Sequence, residues 1–145
     1  MIFCHLDPGE LDKVGEMEFG GPVVGEKERF RVKFLVNDRA GSIAIEDFPA
    51  GKETRWAFWH DEVHFVLDGE AEISYTLPPN HRKVVTRNTK KGDAYVIVNG
   101  TRATFRITSK TPYLHACVIM PRYNFDKWLL REEYGEPVES REKGA

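Results

Sequence analysis

Glu62 and His64 could carry proton-transfer chemistry together. They are separated by one residue, and because successive side chains of a β-strand point to opposite faces, a strand here places both on one side. If that side is the interior of the protein, burial raises the pKa of a carboxyl group and a nearby imidazole opposes the shift. A carboxylate and an imidazole in such surroundings are typical of a general acid–base pair, so Glu62 and His64 are the candidate catalytic residues.

The same two residues also have a structural interpretation. A histidine in a protein core is normally hydrogen-bonded, and Glu62 could be the partner of His64 or a carboxylate at the mouth of a cavity. Glutamate is almost never fully buried without a partner. Both interpretations stay open at the level of the sequence, and the catalytic one is favoured.

A metal site is the third interpretation of this stretch. At about 3.3 Å per residue, His60 and His64 lie about 13 Å apart along an extended strand, which is too far to share a metal with bonds of about 2 Å. A bend at His60 or a ligand from elsewhere, such as His115, would be required. The sequence therefore predicts no cofactor, with a divalent metal held by Glu62, His64, His60 and His115 as the alternative.

Short strands must position these residues. From Phe30 to Val36 apolar side chains fall at every second residue, which is the period of a half-buried strand. The dipeptides Asp68–Gly69 and Asn99–Gly100 tolerate positive φ and predict two tight hairpins. Short, evenly spaced strands favour a sandwich or a barrel. Nine strands are predicted, at residues 30–36, 42–47, 53–59, 62–67, 70–77, 83–87, 94–98, 102–108 and 113–120.

The pattern changes only near the end of the sequence. Phe125, Trp128 and Leu129 are spaced i, i+3, i+4 behind Asn124 as a cap, which predicts a short C-terminal helix. The last residues are charged and predict a flexible tail. We expect an N-terminal arm, a β-barrel, this helix and the tail at residues 1–29, 30–121, 122–135 and 136–145.

The composition excludes several classes of function. A chain of 145 residues is the size of one domain, and 21 basic against 23 acidic residues give a net charge of −2. The charges are interspersed, which argues against a nucleic-acid partner. No stretch has the apolar length of a membrane span, the first residues lack the apolar run of a signal peptide, and Cys4 and Cys117 form no metal or redox motif. We therefore expect a cytoplasmic protein without nucleic-acid or membrane partners.

Two motifs resemble those of the cupin superfamily. The first runs from Glu62 to Gly69 with the six intervening residues of the family's first motif. The second begins at Gly92 and has the family's spacing of glycines. Its remaining matched positions are Val98, Asn99, Gly100 and Ala103. The resemblance covers about residues 30–121 and implies an all-β fold: a small double-stranded β-helix barrel of the jelly-roll type, often a homodimer.

The departures from the family pattern bear on the metal. In metal-binding cupins the first motif begins with His-x-His, and the positions that match here are Trp56 and Phe58. The second motif's histidine corresponds to Ala103. Of the four ligands only Glu62 remains, so the resemblance implies that the ordinary iron, manganese or zinc site is absent. Such a degenerate site is most similar to that of the ethanolamine-utilisation cupins, to which an acyl-phosphate kinase role has been attached.

Aromatic side chains at the former ligand positions predict a pocket. A lining of this kind suits an aromatic or otherwise apolar small molecule with one polar group that meets Glu62 and His64. The alternative is a barrel packed solid by these side chains, which binds nothing. The predicted substrate-binding residues are Trp56, Phe58, His60, Tyr95, Ala103 and Phe105.

The leading functional hypothesis is a metal-independent enzyme. It would act as a lyase, isomerase or cyclase on a carbonyl-bearing compound, with Glu62 as base and His64 as polarising donor or second proton carrier. Two alternatives remain: a metal-dependent cupin with hydrolytic or oxygen-dependent chemistry at a non-standard site, and a non-catalytic dimer that binds a ligand.

Overall fold

Ten strands and one short 3-10 helix make up the described part of the chain. The computed structural model describes residues 1–21, 25–38 and 40–120. The 3-10 helix spans Pro8–Lys13. The strands are β1 (Met17–Gly20), β2 (Lys27–Asp38), β3 (Gly41–Phe48), β4 (Glu53–Ala57), β5 (Asp61–Asp68), β6 (Glu70–Thr76), β7 (Val85–Lys90), β8 (Ala94–Ile97), β9 (Arg102–Ile107) and β10 (Tyr113–Met120).

The strands form two antiparallel sheets. One sheet has six strands in the order β1-β2-β3-β10-β5-β8, and the other has four in the order β4-β9-β6-β7. The predicted all-β class is confirmed, and the nine predicted strands correspond to β2–β10 within a few residues. β1 was not predicted, because its four residues are too few to show an alternating pattern.

The core lies between the two sheets and is rich in aromatic rings. Phe48 of β3 meets Phe105 of β9 edge to face at a centroid distance of 5.1 Å. Phe30 of β2 meets Trp56 of β4 at 5.6 Å. Such pairs each contribute about 0.5–1.5 kcal/mol beyond the burial of their surface. Because both pairs join strands of different sheets, they hold the two layers together.

The two glycine turns have the predicted backbone but not the predicted role. Gly69 and Gly100 have φ values of 83° and 92°. However, β5 and β6 belong to different sheets, and so do β8 and β9. The prediction of tight hairpins is therefore wrong. A dipeptide that tolerates positive φ reverses the chain, but the pairing of the flanking strands is decided by the partners available in each sheet.

The N-terminal residues pack against the six-stranded sheet. Leu11 of the 3-10 helix is 1 % exposed, and its carbonyl oxygen accepts a hydrogen bond of 3.3 Å from Arg31 of β2. Arg31 also forms an ion pair with Asp47 of β3. Part of the predicted arm is thus tied to the sheet.

The predicted C-terminal helix and tail, residues 122–135 and 136–145, lie outside the described residues. In the part of the chain that the structure does describe, no helix has both the length and the apolar character that crossing a membrane requires.

Candidate functional site

The site lies on the inner face of the six-stranded sheet. His64 of β5 stands opposite Tyr95 of β8 on one side and opposite Cys117 of β10 on the other. His115 of β10 stands opposite Glu46 of β3. Since residues directly opposite in antiparallel strands share a face, the register of four neighbouring strands brings these five polar side chains together.

Glu62 lies between two histidines. Its Oε1 is 3.2 Å from His64 Nε2, and its Oε2 is 3.2 Å from His60 Nε2, although the second pair is not aligned as a hydrogen bond. The Glu62 side chain is 6 % exposed and that of His64 is fully buried. His60, just before β5, and His64 therefore both contact the carboxylate of Glu62, which lies between them in the sequence.

The electrostatics favour an ionised Glu62 beside a neutral His64. Burial lowers the pKa of His64, as does the neighbouring His115, and these effects outweigh the opposing influence of Glu62. Burial by itself raises the pKa of Glu62, but the imidazoles of His60 and His64 outweigh it and leave this pKa below its usual value. The sequence-based expectation that an imidazole counters the effect of burial on the carboxyl is met.

These charge states fix the tautomer of His64. An ionised carboxylate can only accept a hydrogen bond, so Nε2 of His64 carries the proton and donates it to Glu62. Nδ1 then has a free lone pair and accepts a hydrogen bond of 3.1 Å from the hydroxyl of Tyr95. A directed hydrogen-bond chain, which we call the relay, therefore runs from Tyr95 through His64 to Glu62.

The relay continues to other hydroxyl groups. The Tyr113 hydroxyl is 2.8 Å from that of Tyr95 and 3.4 Å from that of Thr89. Burial, together with Tyr113, raises the pKa of Tyr95 well above its usual value. Tyr95 is therefore protonated at neutral pH and holds a proton that it can donate.

A cleft of about 510 Å³ opens beside Tyr95. Its walls come from β6, β7, β8 and β9, and most of them are apolar. The predicted substrate-binding residues that line it are Phe58, Tyr95, Ala103 and Phe105. The residues with polar groups in its walls are Tyr75, Arg87, Asn88, Thr89, Asp93, Tyr95 and Thr101.

The other predicted site residues lie away from this cleft. Trp56 lines a more open depression of about 270 Å³ that also contacts Ala103. Neither His60 nor the proposed catalytic pair is part of the cleft lining. The rings of Phe58 and Phe105 line the cleft and pack near His64, with centroids 6.0 and 6.2 Å from that of its imidazole. Tyr95 connects the cleft to the buried pair.

The residues at the positions that resemble the cupin metal motif do not fit a metal. Trp56, Phe58 and Ala103 offer no ligand atom, and Phe58 and Ala103 are buried in the core. Glu62, the remaining ligand of the pattern, already has an imidazole beside each carboxylate oxygen. No step of the chemistry is therefore assigned to a metal at this position.

A different set of residues could hold a metal ion. One ligand atom from each of Glu46, His64, His115 and Cys117 lies within 4.8 Å of the others. The sequence-based metal alternative included His64 and His115 but missed Glu46 and Cys117. The i, i+2 spacing of His115 and Cys117 places them on one face of a strand, which is the signal that could have found Cys117.

The chemistry of Cys117 depends on this environment. Burial raises the pKa of its thiol well above the usual value, and the charges of Glu46 and Glu62 raise it further. Without a cation nearby the thiol is therefore protonated and unreactive.

Comparisons with known proteins support the fold. No family model and no curated protein matches the sequence. Among solved structures, KdgF from Halomonas sp. matches with a TM-score of 0.51 and 19% identity, over 64% of this chain and 79% of its own. The EutQ protein of Clostridium difficile matches at 0.51 and 16%, over 65% and 69%. The Drosophila melanogaster CENP-C cupin domain matches at 0.55 and 17%, over 72% and 74%.

The chain has the cupin fold. The motif spacing predicted this fold, and the structural neighbours confirm it.

Proposed function

We propose that this protein is an enzyme that binds a small, largely apolar, carbonyl-bearing compound and moves a proton on it without a metal. The observation that carries the proposal is the relay, which begins at a tyrosine in the wall of a cleft and ends at a buried carboxylate. The reaction class is that of a lyase, isomerase or cyclase.

In the proposed mechanism Tyr95 contacts the substrate. As its oxygen takes a proton from the carbon next to the carbonyl group, its own proton moves to His64 Nδ1, and the ionised Glu62 stabilises the resulting imidazolium. Return of a proton to another atom of the substrate completes an isomerisation. The arrangement has the logic of a catalytic triad, in which a reactive hydroxyl, a base and an orienting carboxylate are hydrogen-bonded in sequence.

This mechanism modifies the roles proposed from the sequence. Glu62, proposed there as the base, acts through His64, since neither of the two residues lines the cleft. We keep both in the site as positioning and proton-carrying residues, and Tyr95 becomes the catalytic residue. Apolar walls at Phe58, Ala103 and Phe105 support the expected class of substrate.

The size of the cleft supports a small molecule as the ligand. A volume of about 510 Å³ lies within the roughly 300–1,000 Å³ of known small-molecule sites. Its few polar groups would orient the substrate, and the apolar remainder would exclude water from the reacting atoms.

The first test measures proton exchange. Apolar ketones and keto acids are incubated with the protein in deuterium oxide, and exchange of the hydrogen next to the carbonyl is followed by proton NMR. We expect Tyr95→Phe to slow the exchange by roughly 10²–10⁴-fold, the contribution of one general acid–base group, while the compound still binds. His5→Asn, at an exposed residue outside the relay, is the control and keeps the wild-type rate. Exchange at the wild-type rate in Tyr95→Phe contradicts the proposal.

The second candidate function is ligand binding without catalysis. The observation that favours it is that both ring nitrogens of His64 and the Tyr95 hydroxyl already have hydrogen-bond partners inside the protein, as in a structural core network. Calorimetry that detects binding of a compound, with no product and no exchange, supports this function over the enzyme.

A further inference from the structure

Four side chains that can ligate a metal converge from three adjacent strands. Glu46 comes from β3, His64 from β5, and His115 and Cys117 from β10, the strand between them. The two imidazole rings stack with centroids 4.5 Å apart. His64, His115 and Cys117 are fully buried, and only the Glu46 side chain reaches solvent, with 14 % of its surface exposed. None of these four residues occupies a position of the cupin metal motif.

The hydrogen bonds of His115 leave a position for a cation. Its Nδ1 is 3.3 Å from the carbonyl oxygen of Tyr113 and its Nε2 is 2.6 Å from Glu46 Oε1, and both of these oxygens accept hydrogen bonds. Without a metal, Nε2 can donate its proton to Glu46. A metal ion that replaced this proton would contact both atoms, and Nδ1 could still donate to the carbonyl of Tyr113.

The surroundings of both histidines match those of metal ligands. Histidines that bind a metal with one nitrogen almost always donate the other N–H to a carboxylate or a backbone carbonyl. Nδ1 of His115 faces the carbonyl oxygen of Tyr113 at 3.3 Å, and His64 donates to the carboxylate of Glu62. The other nitrogen of each ring, Nδ1 of His64 and Nε2 of His115, now meets Tyr95 and Glu46, and a metal ion would replace these hydrogen bonds.

We propose that Glu46, His64, His115 and Cys117 form a zinc site of the protein, at a place in the barrel different from the standard cupin site. One thiolate, two imidazoles and one carboxylate are the donors that four-coordinate zinc takes. With bonds of about 2.0–2.3 Å, neighbouring donors of a tetrahedral site lie roughly 3.3–3.8 Å apart. No pair is more than 4.8 Å apart, so the donors need to close by at most about 1–1.5 Å when the ion binds.

Cobalt binding tests this proposal directly. The full chain is freed of metal with a chelator and titrated with Co²⁺, which takes the place of zinc and is coloured. We expect one ion per chain, a thiolate-to-cobalt charge-transfer band in the near ultraviolet, strong visible bands of a tetrahedral site, and loss of all of them on addition of Zn²⁺. A titration of the folded wild-type protein without these bands overturns the proposal.

The two cysteines of the chain supply a matched control. Cys117→Ser removes the charge-transfer band, whereas Cys4→Ser, at an exposed residue, leaves it unchanged. If Cys117→Ser keeps the band, the thiolate that binds cobalt is not Cys117, and the proposed site is refuted.

Glu46→Gln is the second variant in case Cys117→Ser does not fold. It is expected to weaken cobalt binding, while the thiolate band remains at saturating cobalt. Unchanged affinity in a folded Glu46→Gln protein contradicts the role of the carboxylate.

Glu62 gives a further test, because it orients the ligand His64 without itself binding the metal. Its carboxylate holds the ring of His64 without belonging to the four ligands, and loss of such an outer partner typically lowers metal affinity about 10–100-fold. We expect this loss in Glu62→Gln, with the visible spectrum of the bound cobalt retained. Wild-type affinity in this variant means that His64 is not the ligand.

Zinc occupancy has a consequence that rests on the proposed function. Nε2 of His64 is held by Glu62, so the ion takes the lone pair of Nδ1, which in the relay accepts the proton of Tyr95. Zinc would then stop proton exchange, and a chelator would restore it. Since cobalt binding is read from the spectrum, failure of the zinc site and failure of the enzymatic proposal give different results.

Discussion

At the scale of single residues, the relay depends on the buried carboxylate of Glu62. The carboxylate accepts the Nε2 proton of His64 in a region from which water is excluded. An imidazole N–H that loses its partner in such a place costs about 1–3 kcal/mol of stability. Glu62 is therefore important to the fold of the site as well as to its chemistry.

This dependence predicts the stability of one variant. Glu62→Ala is expected to lower the free energy of unfolding by about 1–3 kcal/mol, because His64 is left with an unsatisfied donor. Glu72→Ala is the control, since Glu72 forms an exposed ion pair of 2.9 Å with Arg106, and such pairs contribute at most about 1 kcal/mol. Denaturant titration of both variants checks the prediction, and equal losses in the two proteins contradict it.

Residue-level prediction from the sequence succeeded within one strand and failed across strands. The alternation from Glu62 to Val66 predicted that these residues share a face with His64, and all three are buried on the inner face of the sheet. Glu46 is near the site only because β10 lies between β3 and β5. The pairing of strands about 70 residues apart leaves no periodic signal in one sequence, so Glu46 could not be found.

At the scale of elements, the turn between β5 and β6 depends on Gly69. Its backbone has a φ of 83°, and a Cβ atom placed there would lie 2.5 Å from the carbonyl oxygen of Pro112, just before β10. The turn needs glycine for its conformation and for the close approach of a neighbouring backbone. The sequence predicted the first requirement, but the second arises from the path of a distant segment.

A pair of alanine variants separates these two requirements. Gly92 has a similar φ of 95°, but its added Cβ would meet nothing within 4 Å. Gly92→Ala is therefore expected to cost only the roughly 1–2 kcal/mol of a left-handed alanine, and Gly69→Ala is expected to cost clearly more. Thermal unfolding of the two variants measures the difference. Equal midpoints would mean that the backbone near Pro112 moves aside freely.

At the scale of the whole molecule, the segment before β2 belongs to the fold. Leu11 is almost completely buried, whereas Leu6 is 43 % exposed. Truncation of a buried leucine to alanine typically costs about 2–5 kcal/mol. We expect Leu11→Ala to lower stability by this amount and Leu6→Ala to change it little, as measured by chemical denaturation. A small effect of Leu11→Ala would show that the 3-10 helix detaches without loss to the barrel.

The architecture of the molecule was predictable from local patterns in the sequence. Nine strands and the cupin fold followed from alternation and motif spacing, because each is a local pattern. The homodimer and the cytoplasmic location stay predictions. Association between two chains depends on their surfaces, which the periodic pattern of apolar residues does not describe. Sedimentation of the purified protein measures the first of these directly.

The central position of β10 has a consequence for biosynthesis. This strand is the last of the described elements in the chain, yet it lies between β3 and β5 and joins them. While the ribosome is still making residues 113–120, β3 and β5 have no partner between them, and their open edges are available to other chains. The nascent protein can therefore close its larger sheet only after β10 has been made. His115 and Cys117 arrive with that strand, so the polar cluster forms in the same late step that completes the barrel.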